Sequence, residues 1–445
     1  MARRALLVDL YELTMAQSYL DEGIDRRPAT FSLFARTLPG GWRYFVAAGL
    51  EHALRYLDEL SFGEDDLAYL EGTRLFTPAF LERLARFRFT CAVRALPEGT
   101  LFFPQEPVAE VEGPVLEAQI VETVLLNVFH LHTLLASKAA RSVDVAQGRR
   151  LVDFGLRRTH GGDAGLAAAR SSWIAGFDAT SDVLAGKLYG IPIAGTMAHS
   201  YVEAFADELE AFRAFARSYP DDCTLIVDTY DTVEGTRRAA VVGRELAGRG
   251  HRLRGIRLDS GDLVELSRRA RAILDEAGLA DTTVFVSGNL DEAEIARLLA
   301  AGAPIGGFGV GSRLGTSADA PYLDMAYKLV AFDGRPVLKL SKGKATWPGA
   351  KQVFRVSAGG RLAGDVIGLA AEDPPAGGAL LETVMEGGRR VGGGSLADAR
   401  DRCAEQRAAL PAPPYDVRFS EALSALRAGA EAEIRSRAGR SDAQA

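Results

Sequence analysis

Between about residues 149 and 313 the chain repeats one theme: a short apolar strand, a turn rich in Gly, Asp and Ser, then an amphipathic helix. Leu225-Ile226-Val227 runs into Asp228-Thr229-Tyr230-Asp231, and Leu253–Leu258 into Asp259-Ser260-Gly261-Asp262. Val284-Phe285-Val286 runs into Ser287-Gly288-Asn289, and Ile305–Val310 into Gly311-Ser312. Leu263, Leu266, Ala270, Ile273 and Ala277 recur at helical spacing before Gly278, and Ile295, Leu298 and Leu299 before Gly302. Strands alternating with helices at this pitch predict parallel β/α units, closed into a barrel or left open. In such barrels chemistry sits at the C-terminal ends of the strands. All four polar clusters fall there, although Asp and Ser at these turns also serve as helix N-caps.

The flanking segments are of a different kind. Up to about residue 141 helix-like and strand-like stretches mix: Phe31–Phe34 and Val108–Val115 read as strands, Glu117–Arg141 as one long helix. From Pro321 onward, Tyr327–Val330 and Pro336–Leu340 flank Asp333-Gly334 as a hairpin, and Val353–Val356 adds a strand. Residues 371–379 read as a loop, a last helix starts near Ser420, and the tail frays after about Ser436. The expected division is residues 1–140, then 141–320, then 321–445.

Bulk properties exclude several functions. The net charge is -7 with no Lys/Arg-rich run, which gives nucleic-acid binding no electrostatic support. Arg3 and Arg4 precede an apolar run that Asp9 and Glu12 break too early for a signal sequence, and no apolar stretch is long enough to span a membrane. The three cysteines, Cys91, Cys223 and Cys403, are too scattered for a zinc site or a disulfide framework. These features point to the cytoplasm.

Several constellations suit a sugar-phosphate substrate. Gly306–Ser312 is a glycine-rich turn after a strand, and Ser287-Gly288-Asn289 offers a second wall for a phosphate. Asp228, Asp231, Asp259 and Asp262 could face Mg²⁺ or ribose hydroxyls, and Arg257 shares a strand face with Asp259. Asp153–His160 sets Phe154 beside Arg157 and Arg158, an arrangement that can stack on and pair with a planar anion. His199, in Gly195–Ser200, sits in a small-residue turn open to acid/base or nucleophilic work.

Taken in order, Asp9–Met15, Asp153–Arg158, Gly176–Asp182, Gly195–Ser200, Arg257–Asp262, Gly309–Ser312 and Lys342-Gly343-Lys344 resemble the nicotinate phosphoribosyltransferase family over nearly the whole chain. Val8 stands where the family often has Thr. The resemblance implies a type II phosphoribosyltransferase fold: an irregular β/α barrel plus an α/β domain built from both ends of the chain. It implies ATP-coupled transfer of a phosphoribosyl group from phosphoribosyl pyrophosphate to nicotinate, with Mg²⁺ held through substrate phosphates, in a head-to-tail homodimer with shared sites. Tyr11 would stack on the nicotinate ring against Phe154, and Arg157 would pair with anionic groups. Arg36, Lys328 and Lys344 would reach toward phosphates, while Gly288, Gly309, Gly311 and Ser312 would cradle the 5'-phosphate. Asp259 would anchor the ribose with Arg257 beside it, and Thr180, Ser200 and Asp228 would line the substrate. His199 would be the residue that ATP phosphorylates. Nicotinamide or quinolinate transfer, a catalytically silent binding homologue, and an unrelated barrel aldolase or isomerase are the alternatives. No catalytic lysine on the barrel strands supports the last of these.

Overall fold

A computed structural model describes residues 5–341, 345–373 and 377–441, with side chains described as far as 436. Two compact units divide the chain: one is residues 135–321, the other is residues 1–134 together with 322–445.

In the 135–321 unit six parallel strands form one sheet. Its order is Ala179–Thr180, Arg150–Asp153, Gly307–Val310, Thr283–Val286, Leu253–Leu258, Cys223–Ile226. The first strand in sequence lies beside the last, which is how a sheet wraps toward a barrel, and an isolated bridge from Thr180 to Ile193 extends the wrap. The fold is therefore a half-barrel of β/α units. Leu225, Ile226, Ile256, Leu258, Val286 and Phe308 are fully buried between strands and helices. Each such burial is worth roughly 1.5–3 kcal/mol.

The helices start where acidic residues cap them. Asp182, Asp231, Asp262 and Asp291 each accept backbone N–H bonds from the first turn of the following helix. Asp231 and Asp262, expected as candidate ligands, each commit one carboxylate oxygen to this capping role. The Leu263–Glu276 helix also buries a different face from the one expected: Leu263, Ser267, Ala270 and Leu274 are inside, while Leu266 and Ile273 are only half-buried. Small Ser267 lets this helix lie close to its neighbours, so packing outweighs the purely apolar count.

The other unit is antiparallel except where Val417–Phe419 pairs parallel with Arg361–Leu369. Its seven-stranded sheet runs Arg335–Pro336, Met325–Phe332, Pro28–Ala35, Pro107–Pro114, Ala92–Ala95, Glu382–Glu386, Arg389–Arg390, mixing strands from both ends of the chain. A four-stranded sheet, Gly378–Ala379, Lys351–Ala358, Arg361–Leu369, Val417–Phe419, comes from the C-terminal part alone. The expected hairpin has its second arm cut to Arg335–Pro336, because Pro336 brings no N–H to the ladder. The strand at Gly378–Ala379 corrects the 371–379 loop, of which residues 374–376 lie outside the described residues. The last helix, Glu421–Ser441, runs past the point where fraying was expected.

One departure matters for the site. The single helix expected from Glu117 is two helices, Val115–Ile120 and Glu122–Val145, broken at Val121. The break creates a new helix start whose first N–H groups need partners. Thr123 N–H finds one in the Glu12 carboxylate at 2.9 Å.

All three cysteines are buried and none is in a disulfide. Among the described residues no helix is long and apolar enough to cross a membrane.

Candidate active site

The strand tips of the 135–321 unit converge on one side chain, Arg257. Its guanidinium donates to Asp259 Oδ1 at 2.8 Å, to Ser287 Oγ at 2.8 Å and to Thr196 Oγ1 at 3.1 Å. It also donates to the Met197 carbonyl at 3.3 Å and stands 5.4 Å from the centre of the Phe154 ring. Five groups from four separate turns are thus tied by one planar cation, which Lys could not reproduce.

Asp259 is the anion of this cluster. Burial alone would raise its pKa, but donation from Ser287 and Arg257 and the nearby His199 outweigh it and hold the carboxyl below its ordinary value. Asp228 Oδ2 in turn accepts from the Asp259 N–H and from Ser260 Oγ, both at 2.8 Å. The other oxygen, Asp228 Oδ1, is buried with no hydrogen-bond partner. Such an orphan carboxylate oxygen suits a hydrated divalent cation, although among the described residues no group of three or more His, Cys, Asp or Glu is arranged to hold a metal.

His199 opens a short helix, with Nδ1 3.2 Å from Thr229 Oγ1. Ser200, next to it, is exposed. His199, Asp228 and Asp259 therefore share one neighbourhood, as the strand-tip pattern predicts.

The glycines divide into two groups. Gly288 has φ +91°, and a Cβ there would meet the Asp259 carbonyl oxygen at 2.0 Å. Gly309 corrects the expected phosphate cradle. It lies in a fully buried strand, and a Cβ would strike the Phe154 ring at 2.5 Å. Its missing side chain seats the aromatic platform instead. Gly311 and Ser312 do sit beyond the strand end, at the start of the Ser312–Gly315 turn, with Gly311 packed on the Phe154 backbone.

Phe154 is half-buried and tilted against Phe285 at 5.9 Å, while Arg157 and Arg158 are exposed. Thr180 corrects a second expectation. It is fully buried, donates to Asp153 Oδ2 at 2.8 Å and accepts from the Asp182 N–H at 3.0 Å. It is a strut beneath the site, and its one hydroxyl proton is already given to Asp153.

Asp153, to which Thr180 donates, also accepts from the Gly155 N–H at 2.8 Å. Burial pushes its carboxyl up to about 6, against the opposing pull of these two hydrogen bonds. A raised carboxyl favours folding when protonated, so its contribution is full below about pH 3.8 and is lost as pH rises through about 6. Urea unfolding of wild type and Asp153→Asn at about pH 7.5 and about pH 5 checks this. On acidification wild type should gain about 1 kcal/mol relative to the variant.

A cavity of about 350 Å³ lies at the other end of the strands, lined among others by Arg150, Arg254, Thr283 and Phe285. Its lining reaches Phe154 and Thr196 but not His199, Asp228 or Asp259, so it is not the reacting mouth.

In the other unit, Tyr11 is 45% exposed on the Leu10–Asp21 helix, next to exposed Leu7 and Leu10. Arg36 is paired with Asp324 at 2.6 Å, and Lys328 lies 3.4 Å from Glu122. Lys342, Gly343 and Lys344 lie outside the described residues.

The nicotinate phosphoribosyltransferase (NAPRTase) N-terminal domain matches residues 6–130, and the nicotinate phosphoribosyltransferase (NAPRTase) family matches residues 149–354. The chain belongs to the nicotinate phosphoribosyltransferase family. A nicotinate phosphoribosyltransferase of Mycobacterium tuberculosis is 50% identical over 409 residues, covering 92% of this chain and 88% of that protein. One from Bacillus subtilis is 44% identical over 79% of this chain and 73% of its own length. The crystal structure of human nicotinic acid phosphoribosyltransferase superposes with a TM-score of 0.83 at 31% identity, over 94% of this chain and 98% of that one. A nicotinate-nucleotide pyrophosphorylase from Pyrococcus furiosus superposes with a TM-score of 0.73 at 26% identity, over 91% and 95%.

Residue-by-residue reading of the family motifs overlooks the groups that hold the motifs together. Thr196 and Thr229 carry no signal beyond being polar at strand tips, and Ser287, expected in a phosphate wall, has its hydroxyl bonded to Arg257 and Asp259. Asp153 does carry one: an acidic residue closing an apolar strand immediately before Phe154.

Proposed function

We propose that this chain transfers the phosphoribosyl group of phosphoribosyl pyrophosphate to nicotinate, forming nicotinate mononucleotide and pyrophosphate for NAD salvage, with ATP hydrolysed alongside. The reading is carried by one observation, the convergence of the His199 turn, Asp259, Ser287 and Phe154 on Arg257. A silent homologue would have no need to keep a buried-side cation, a depressed carboxylate and an open imidazole in one mouth.

The pyridine nitrogen attacks C1 of the ribose, and the C1–O bond to pyrophosphate breaks with its electron pair leaving on the pyrophosphate. Positive charge develops on the sugar. Asp259, ionised and held by Arg257 and Ser287, supplies fixed negative charge beside it and accepts from ribose hydroxyls. The Gly288 turn and the Gly311-Ser312 N–H groups receive the 5'-phosphate. Phe154 presents its ring to the planar base, Tyr11 of the partner subunit covers the other face, and Arg157 meets the carboxylate. Arg36 exchanges Asp324 for phosphate oxygens, and Lys328 acts alongside. Mg²⁺, when bound, neutralises pyrophosphate charge, and Asp228 would hold it through water. The exposed Leu7, Leu10 and Tyr11 suit burial in a homodimer. Three buried cysteines outside any disulfide suit a reducing cytoplasm.

His199 is the acceptor for the γ-phosphoryl group of ATP. With Nδ1–H donated to Thr229, Nε2 carries the lone pair that takes the phosphoryl group, and ADP departs. The phosphorylated ring adds negative charge beside the mouth, and its hydrolysis drives the transfer forward. In His199→Ala the ATP hydrolysed per nicotinate mononucleotide should fall to background, while slow ATP-independent transfer persists. Unchanged coupling would remove His199 from the phosphoryl step.

A further inference from the structure

Phe154 and Arg157 lie in the turn that follows the Arg150–Asp153 strand, and that turn hangs from one carboxylate. Asp153 Oδ1 accepts from the Gly155 N–H at 2.8 Å, and the Phe154 N–H donates to the Val310 carbonyl at 2.8 Å. The backbone is thereby pinned on both sides of the Phe154 side chain. The Gly155 carbonyl then accepts from the Arg158 N–H at 2.8 Å, which closes the Leu156–Arg158 turn around Arg157.

The other carboxylate oxygen is held from the neighbouring strand. Asp153 and Thr180 are register partners, and the Thr180 hydroxyl donates to Asp153 Oδ2 at 2.8 Å. That hydroxyl accepts in turn from the Asp182 N–H at 3.0 Å. Asp182 is itself anchored as the cap of the Val183–Tyr189 helix. A directed chain of hydrogen bonds therefore runs from that helix start, through Thr180 and Asp153, to the Gly155 N–H. Asp153 and Thr180 are both fully buried, so water offers neither a substitute partner.

Gly155 shows how closely the turn is drawn in. A Cβ there would stand 2.9 Å from Asp153 Oδ1, the same oxygen that holds its N–H. The residue has φ -78°, which any residue adopts, so glycine is required for space and not for backbone freedom.

We propose that Asp153 and Thr180 are positioning residues for nicotinate: the carboxylate, aimed by the Thr180 hydroxyl, sets the turn that presents the Phe154 ring and the Arg157 guanidinium to the base. The inference rests on the roles proposed above for Phe154 and Arg157. Neither Asp153 nor Thr180 touches substrate. A ring held in place beforehand loses less entropy on stacking than one free to move. Arg257 and Asp259, which face the sugar, take their hydrogen bonds from other groups. The effect should therefore fall on the base and spare the phosphoribosyl donor.

The test uses the full-length protein with Mg²⁺ and ATP. It reads kcat/KM for nicotinate and KM for phosphoribosyl pyrophosphate, with melting temperature alongside. Thr180→Val removes the hydroxyl and keeps the branched shape. Gly155→Ala breaks the chain at its other end, because the new methyl displaces the tip of the Asp153 side chain, which can turn away. Each should lower kcat/KM for nicotinate on the order of tenfold and leave the phosphoribosyl pyrophosphate KM within about twofold of wild type. Thr180→Ser keeps the hydroxyl and should keep kcat/KM for nicotinate near wild type. Combining Thr180→Val with Gly155→Ala should cost little more than the larger single loss, since both cut the same chain. The proposal is overturned if either single variant stays within about twofold of wild type for nicotinate. Equal losses for the two substrates, fully additive losses in the double variant, or a loss in Thr180→Ser as large as in Thr180→Val also overturn it. If one variant does not fold, the other decides by the same criteria, and failure of both to fold makes the chain purely structural and overturns the proposal. Phe154→Ala and Arg157→Ala separate the two levels. If both leave kcat/KM for nicotinate unchanged, the parent reading has failed and this inference falls with it. If either lowers it and Thr180→Val and Gly155→Ala do not, only this inference is wrong.

Discussion

Asp259→Asn is expected to lower kcat/KM for phosphoribosyl pyrophosphate by a factor of roughly 10²–10³ with little change in melting temperature. Asparagine is nearly the same shape. Its Oδ1 can still accept from Arg257 and Ser287, the two bonds that fix the side chain in the folded protein. The charge is what disappears. In the native protein that charge is reinforced, because the donors around it hold the carboxyl below its usual value despite burial. A reaction that builds positive charge on a sugar loses most when a fixed anion beside the sugar is neutralised. The loss should fall mainly on kcat, since the charge on the ring is larger in the transition state than in the bound substrate. Steady-state kinetics with melting curves decide it. A loss under about fivefold would take Asp259 out of the electrostatic role.

Gly288→Ala is expected to cost activity by about 10² or more for a different reason. The new methyl would lie 2.0 Å from the Asp259 carbonyl oxygen, a backbone atom that cannot swing aside as a side chain can. The residue also sits at φ +91°, where an L side chain is strained by roughly 1–3 kcal/mol. Either the turn after Val286 or the turn after Leu258 must move. Both carry groups tied to Arg257, Ser287 on one and Asp259 on the other. A shift on the order of 1 Å in either spoils the registration of the sugar with its anion. Unlike Asp259→Asn, this variant should also melt earlier. Wild-type activity in a folded Gly288→Ala protein would show that the close approach of the two turns has no role in catalysis.

The two variants probe opposite kinds of information. Asp259 could be picked out from its motif, Arg257-Leu258-Asp259, because two residues in an extended strand share a face. Gly288 could be picked out as a glycine at a strand tip, but not for its actual constraint. That constraint is a carbonyl from a turn nearly thirty residues earlier, and nothing local in Ser287-Gly288-Asn289 encodes it. Gly309 makes the same point in reverse. Its glycine-rich surroundings suggest a phosphate cradle, whereas the packed strand gives it to the Phe154 ring.

Helix caps show how much local chemistry does encode. Asp182, Asp231, Asp262 and Asp291 each begin a helix just after a strand tip, and any of them could be mistaken for a ligand. A capping aspartate commits one oxygen to its own helix, so the acids proposed to meet substrate are the ones that precede it in the same turn. Asp228 before Asp231 and Asp259 before Asp262 follow that order. The burial of Leu263, Ser267, Ala270 and Leu274 was less accessible to such reasoning, since a helix rotates to suit the surface it meets.

From the amino-acid order alone came the alternation of strand and helix, the placing of polar turns at strand ends and the family resemblance, which in turn implied the two-ended second unit. All are written in short-range periodicity and in motifs a few residues long, which survive whatever the rest of the chain does. Only the tertiary structure decided which oxygens the Arg257 guanidinium would reach, which face of Gly309 would be filled, and that Thr123 would reach back to Glu12. Those outcomes depend on strand register and on where one helix breaks. Register and helix placement are set by many weak packing contacts between residues far apart in sequence, so no single segment contains them.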